Sequence, residues 1–74
     1  MSNVTRGRLE TLLNHWVQRN REHSQEFRSW AEEAKDFGEN VHDAILAAAQ
    51  QMDKTNEFLL QALDSLKEGE DVSG

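Results

Sequence analysis

From Leu9 to Phe37, nine residues recur at alternating steps of four and three: Leu9, Leu13, Trp16, Asn20, His23, Phe27, Trp30, Ala34 and Phe37. Such spacing marks one face of a helix, whereas a half-buried strand would alternate at every second residue. The second half repeats the rhythm with Val41, Ile45, Ala48, Met52, Thr55, Leu59, Ala62 and Leu66. Strand alternation occurs nowhere, and the chain has no proline to interrupt either seam. An all-α fold follows.

The two periodic segments meet at a readable break. Gly38 can take the backbone conformation that ends a helix, Asn40 suits an N-cap, and Asp43 three residues on resembles a capping box. Thr5 or Asn3 caps the first helix and Gly69 ends the second. The expectation is a single domain over residues 1–74, with helices at 6–37 and 41–67 and a disordered acidic tail at 69–74. A turn of about two to four residues makes the helices antiparallel neighbours, an αα-hairpin.

The hairpin leaves apolar surface over. Beside the seam of the second helix runs another line in the same steps: Leu46, Ala49, Asp53, Asn56, Leu60 and Leu63. Leu12, Val17 and Ala31 widen the first helix, and Phe58 lies on the opposite flank of the second. A stripe of this width asks for more than one neighbour. Two hairpins packed as a homodimeric four-helix bundle satisfy it, with Ala47, Ala48 and Ala49 allowing close approach. A protein partner docking on Leu46, Leu60 and Leu63 is the alternative.

Composition narrows the function. The net charge is −6 in 74 residues, and it is unevenly spread. Residues 1–30 hold five Arg against three Glu, and residues 31–74 hold three Lys against eleven acids. Nucleic-acid binding needs a basic face to neutralise phosphates, and only Arg6, Arg8, Arg19, Arg21 and Arg28 are on offer. No nucleic-acid partner is expected; the two halves attract one another. There is no cysteine, hence no disulfide or thiolate site. No apolar run reaches the ~20 residues that span a bilayer, and no signal-peptide core is present. A cytoplasmic protein with no membrane partner is the expectation.

Asn20 and His23 are the anomaly, two polar residues inside an aromatic seam. Antiparallel register sets them opposite Thr55, Asn56 and Leu59, so polar positions from both helices share one level. Buried unpaired, each would cost a few kcal/mol, and hydrogen bonding within a layer of Asn20, His23, Thr55 and Asn56 avoids that. The layer reads as a register device. It could also be a pH-sensitive layer through His23, or a ligand or metal pocket. Trp16, Phe27 and Trp30 are read as core anchors around it.

Catalysis and metal binding find less support. The histidines are separate: His15 sits about 100° from Trp16, His23 lies roughly 12 Å further along, and His42 is near the turn. Glu39 and His42 give one Glu-x-x-His match to di-metal bundles, a spacing expected by chance in an acidic helical chain. No metal or other cofactor is expected. There is no phosphate loop and no acid pair on a seam. Ser24 adjoins His23, but adjacent helical positions diverge and form no dyad. The chain reads as a non-enzyme.

The spacing His15-Trp16, Asn20, His23, Phe27, Trp30-Ala31, with Asn56 and Ala62-Leu63 downstream, resembles a group of short uncharacterised helical domains of anaerobic bacteria and methanogenic archaea. The resemblance spans most of residues 9–66 and implies a small all-helical module without an assigned reaction. Members tend to be richer in histidine, including where this chain has Arg19 and Phe58. Those departures count against carrying a metal role over. The reading is therefore a small oligomeric binding or regulatory module.

Overall fold

The computed structural model describes residues 5–73, with side chains as far as Glu68. Helix α1 runs Arg6–Ala34 and helix α2 runs Glu39–Ser73, packed antiparallel. Thr5 caps α1, its hydroxyl accepting the Arg8 N–H at 3.2 Å, so one orphan donor of the first turn is satisfied. Asn3 lies outside the described residues.

The connection is tighter than expected. After Ala34 the chain narrows into a 3₁₀ turn, Lys35–Phe37, closed by a 3.2 Å bond from the Gly38 N–H to the Lys35 carbonyl. Gly38 has φ 121° and ψ 152°, a region closed to residues with a Cβ. Its carbonyl accepts from the His42 N–H, so α2 starts at Glu39 and not at 41. Asn40, expected as the cap, falls inside the first turn instead, because Gly38 already occupies the position before the helix. At the other end α2 continues past Gly69 to Ser73, and the expected end at 67 is not where the helix stops. A glycine inside a helix costs only about 1 kcal/mol and does not compel a break. Gly74 lies outside the described residues.

The seam keeps its period but is turned by one residue. On α1 the buried side chains are Leu13, Val17, Ser24, Ala31 and Ala34, with Asn20 and Phe27 half-buried between them. On α2 Ala49, Asn56 and Leu63 are buried, and Ile45, Met52, Leu59 and Leu66 half-buried. The expected seam shares Leu13, Asn20, Phe27 and Ala34 with this one. It erred in taking Trp16, His23 and Trp30 where Val17, Ser24 and Ala31 stand, and Val41, Ala48, Thr55 and Ala62 where α2 turns Ala49, Asn56 and Leu63 inward.

The cause is size. Ser24, Ala31, Ala34 and Ala49 let the helices approach closely enough for side chains to bond the opposite backbone. A tryptophan on that line would hold them apart. No large side chain is fully buried among the described residues. The hairpin is a rod of 56 × 19 × 19 Å, and its radius of gyration of 16.7 Å exceeds the roughly 11 Å of a compact domain this long. Among the described residues no helix is long and apolar enough to cross a membrane.

Candidate interaction site

The close seam carries a polar ladder. Asn20 donates its amide to the Asn56 side-chain oxygen at 3.0 Å, and Asn56 donates its own amide to the Val17 carbonyl at 3.0 Å. One turn further on, Ser24 donates to the Asp53 carboxylate at 2.7 Å, its oxygen lying 3.4 Å from the Ala49 carbonyl. Arg28 grips the second oxygen of Asp53 from the flank. The Asp53 carboxyl is held below the usual carboxylate range, first by the Ser24 hydrogen bond and then by Arg28. Among the described residues no buried side-chain nitrogen or oxygen lacks a partner.

Of the four residues expected in this layer, the structure brings two together. Asn20 and Asn56 bond each other; His23 and Thr55 join neither. Thr55 is exposed and returns its hydroxyl to the Gln51 carbonyl of its own helix at 3.0 Å. His23 is half-exposed, its Nδ1 3.5 Å from Glu26 and its ring stacked on Phe27 at 6.2 Å between centroids. Both sit one residue before the true seam, so the same rotation that moved the tryptophans moved them out. Ser24, Arg28 and Asp53 take their place. Their signal was in the sequence: Ser24 lies four residues after Asn20, and Asp53 three before Asn56, which continues the ladder on both helices.

The displaced residues form a face of their own. Trp16, His23, Trp30 and Phe37 precede the seam by one step on α1, as Val41, Ala48, Thr55 and Ala62 do on α2. In an antiparallel pair these two rows share one flank, because the Arg28–Asp53 pair shows the opposite rows sharing the other. Trp30 is 66% exposed and Phe37 80%; Trp16 and Val41 are also exposed, and Phe58 is 59% exposed on the back of α2, two residues past buried Asn56. Of the three expected core anchors only Phe27 touches the seam. Trp16 and Trp30 are surface residues of the hairpin. Of the α2 residues expected to dock a partner, Leu60 is exposed, Leu46 half-buried and Leu63 buried against α1.

Near the tip, His42 holds Asp43 at 2.9 Å through Nδ1, and Glu32 lies 3.9 Å from its Nε2. Among the described residues no three histidines and acids converge as metal ligands would, and no pocket opens.

The family model described as "Domain of unknown function (DUF8180)" matches residues 9–66, so the chain belongs to that family. No curated protein matches the chain. No solved structure matches it either.

Proposed function

We propose that this member of a family of unknown function is the subunit of a small homo-oligomeric binding or regulatory module, in which two hairpins pair through the aromatic flank as a four-helix bundle. One observation carries the reading: Trp16, Trp30, Phe37 and Val41 are all exposed, and their positions on the two helices place them on one flank of the hairpin. Several large apolar side chains exposed on one flank mark an interaction site. The elongated hairpin as a whole has surface to spare for a second copy. The chain of 8.5 kDa exposes 5748 Å², about 1,100 Å² more than the roughly 4,650 Å² of a compact monomer of that mass. A standard interface buries about 800 Å² per partner.

The polar ladder serves the module by setting register. Ser24 and Asn56 reach the opposite backbone, so sliding one helix along the other by one residue would strand their donors. That fixed register holds the aromatic flank in one shape. The activity proposed is binding and not catalysis. The Ser24 hydroxyl is committed to Asp53, and His23 turns to Glu26 and Phe27.

Native mass spectrometry of protein purified without chelator tests the proposal, since it weighs the assembly and any bound species together. A dimer without adduct is the expected result, with Trp30→Asp shifting the species to monomer. A persistent monomer would overturn the homodimer and favour an adaptor docking another protein on the same flank. A stoichiometric adduct would instead favour a ligand- or metal-binding bundle.

A further inference from the structure

Two hairpins can pair flank to flank in two symmetric ways. A two-fold axis along the rod keeps both tips at one end and lays α1 of one chain over α2 of its partner. An axis across the rod puts the tips at opposite ends and lays α1 over α1. Resting on the homodimer proposed above, we infer that the axis runs along the rod, so that the aromatic row of each α1 enters the small-residue row of the partner's α2.

Level and size carry the inference. The Asn20–Asn56 and Ser24–Asp53 bonds fix which residues of the two helices stand at one height. Stepping from there along both helices brings Trp16 within about half a turn of Ala62, His23 of Thr55, and Trp30 of Ala48. Side chains lean toward their own helix N-terminus, which closes that offset in an antiparallel pair. At three successive levels, then, a large side chain on α1 stands beside a small one on α2. Rotation about the long axis preserves height, so each large side chain of one copy meets a small one of the other.

The flank is complementary to itself in this arrangement. The crossed alternative sets the two aromatic rows against each other and the two alanine rows against each other. Its gap would be wedge-shaped, and interfaces pack to the density of interiors.

With the axis along the rod, both tips lie at one end. The acidic tips, with Glu32, Glu33, Asp36, Glu39 and Asp43, are then neighbours. Their repulsion is screened beyond about 8 Å at physiological salt.

The chain has no cysteine, so a single spin label can be placed without other changes. Asn40→Cys labels the tip and Lys67→Cys the open end; both sites are exposed. Pulsed electron–electron distance measurement on each homodimer should give about 20–30 Å between copies at both positions, given helices 8–10 Å apart. Distances of about 50 Å at the tip and about 40 Å at the open end would overturn the inference while leaving the dimer standing. No inter-label signal at either position would overturn the dimer itself. Helical circular dichroism of each labelled protein guards against reading a misfolded variant.

Discussion

At the scale of single residues, Asn56 does most to fix the hairpin. It is buried, it accepts from Asn20, and it donates to the Val17 carbonyl. Asn56→Ala should lower unfolding stability by about 1–3 kcal/mol, since it strands the half-buried Asn20 amide and removes the hydrogen bond to the buried Val17 carbonyl. Urea denaturation measures that. The double change Asn20→Leu with Asn56→Leu should cost less than Asn56→Ala alone, because no polar partner is left unpaired.

Asp53 supplies a pH dependence of known sign. Its folded pKa is depressed by Ser24 and then Arg28, so the ionised form is favoured in the native state. That stability is complete above the unfolded-state value near ~3.9 and is lost as pH falls through the lower folded value. Urea midpoints of the wild type should therefore drop on acidification below about pH 4, and Asp53→Asn should flatten that drop. A drop of equal depth in Asp53→Asn would assign the acid sensitivity to other carboxylates.

At the scale of elements, the period of both helices was legible and their phase was not. Leu13, Asn20, Phe27 and Ala34 belong to the seam on either reading, as do Ile45, Met52, Leu59 and Leu66. What separates the readings is whether Trp16, His23 and Trp30 or Val17, Ser24 and Ala31 complete it. Hydrophobicity favours the first set. Closeness of approach favours the second, with a serine and alanines on the shared line. A stripe too wide for one neighbour gives no period-based reason to choose. The Asn20–Asn56 contact survived because both asparagines fall on positions near the true seam, whereas His23 and Thr55 depended on the phase.

The turn shows the same limit. Gly38 was legible as the break, but its carbonyl starts α2 two residues early, and the cap chemistry at Asn40 and Asp43 is unused. Gly38→Ala tests the backbone alone, since a Cβ there would meet nothing within 4 Å. Its φ of 121° should still make alanine destabilising by about 1–3 kcal/mol in thermal or urea unfolding. Ala49→Leu should cost a similar amount by a different route, forcing apart helices that meet at a side chain with 0% exposure.

At the scale of the whole molecule, a rod 56 Å long and 19 Å wide cannot shelter its own aromatic residues. The width of the apolar stripe made apolar surface in excess of one helix–helix contact legible from the spacing of residues alone. Which residues would face it was hidden, because that depends on the phase settled within the hairpin. The two sets of side chains part company: small and polar ones join α1 to α2, and Trp16, Trp30 and Phe37 are left exposed. His23→Leu should accordingly leave hairpin stability nearly unchanged and tighten the association, a difference visible in the concentration dependence of sedimentation.

Everything proposed for the assembly turns on Trp16 and Trp30 belonging to the surface between chains and not to the seam within one. Tryptophan emission followed across a dilution series, with mass measured in parallel, reads this directly. Emission should be blue-shifted at high concentration and move to the red on dilution, with a midpoint coinciding with the fall from twice the chain mass to one. Emission that stays blue-shifted in a monomer would contradict this and return both tryptophans to the interior of the hairpin.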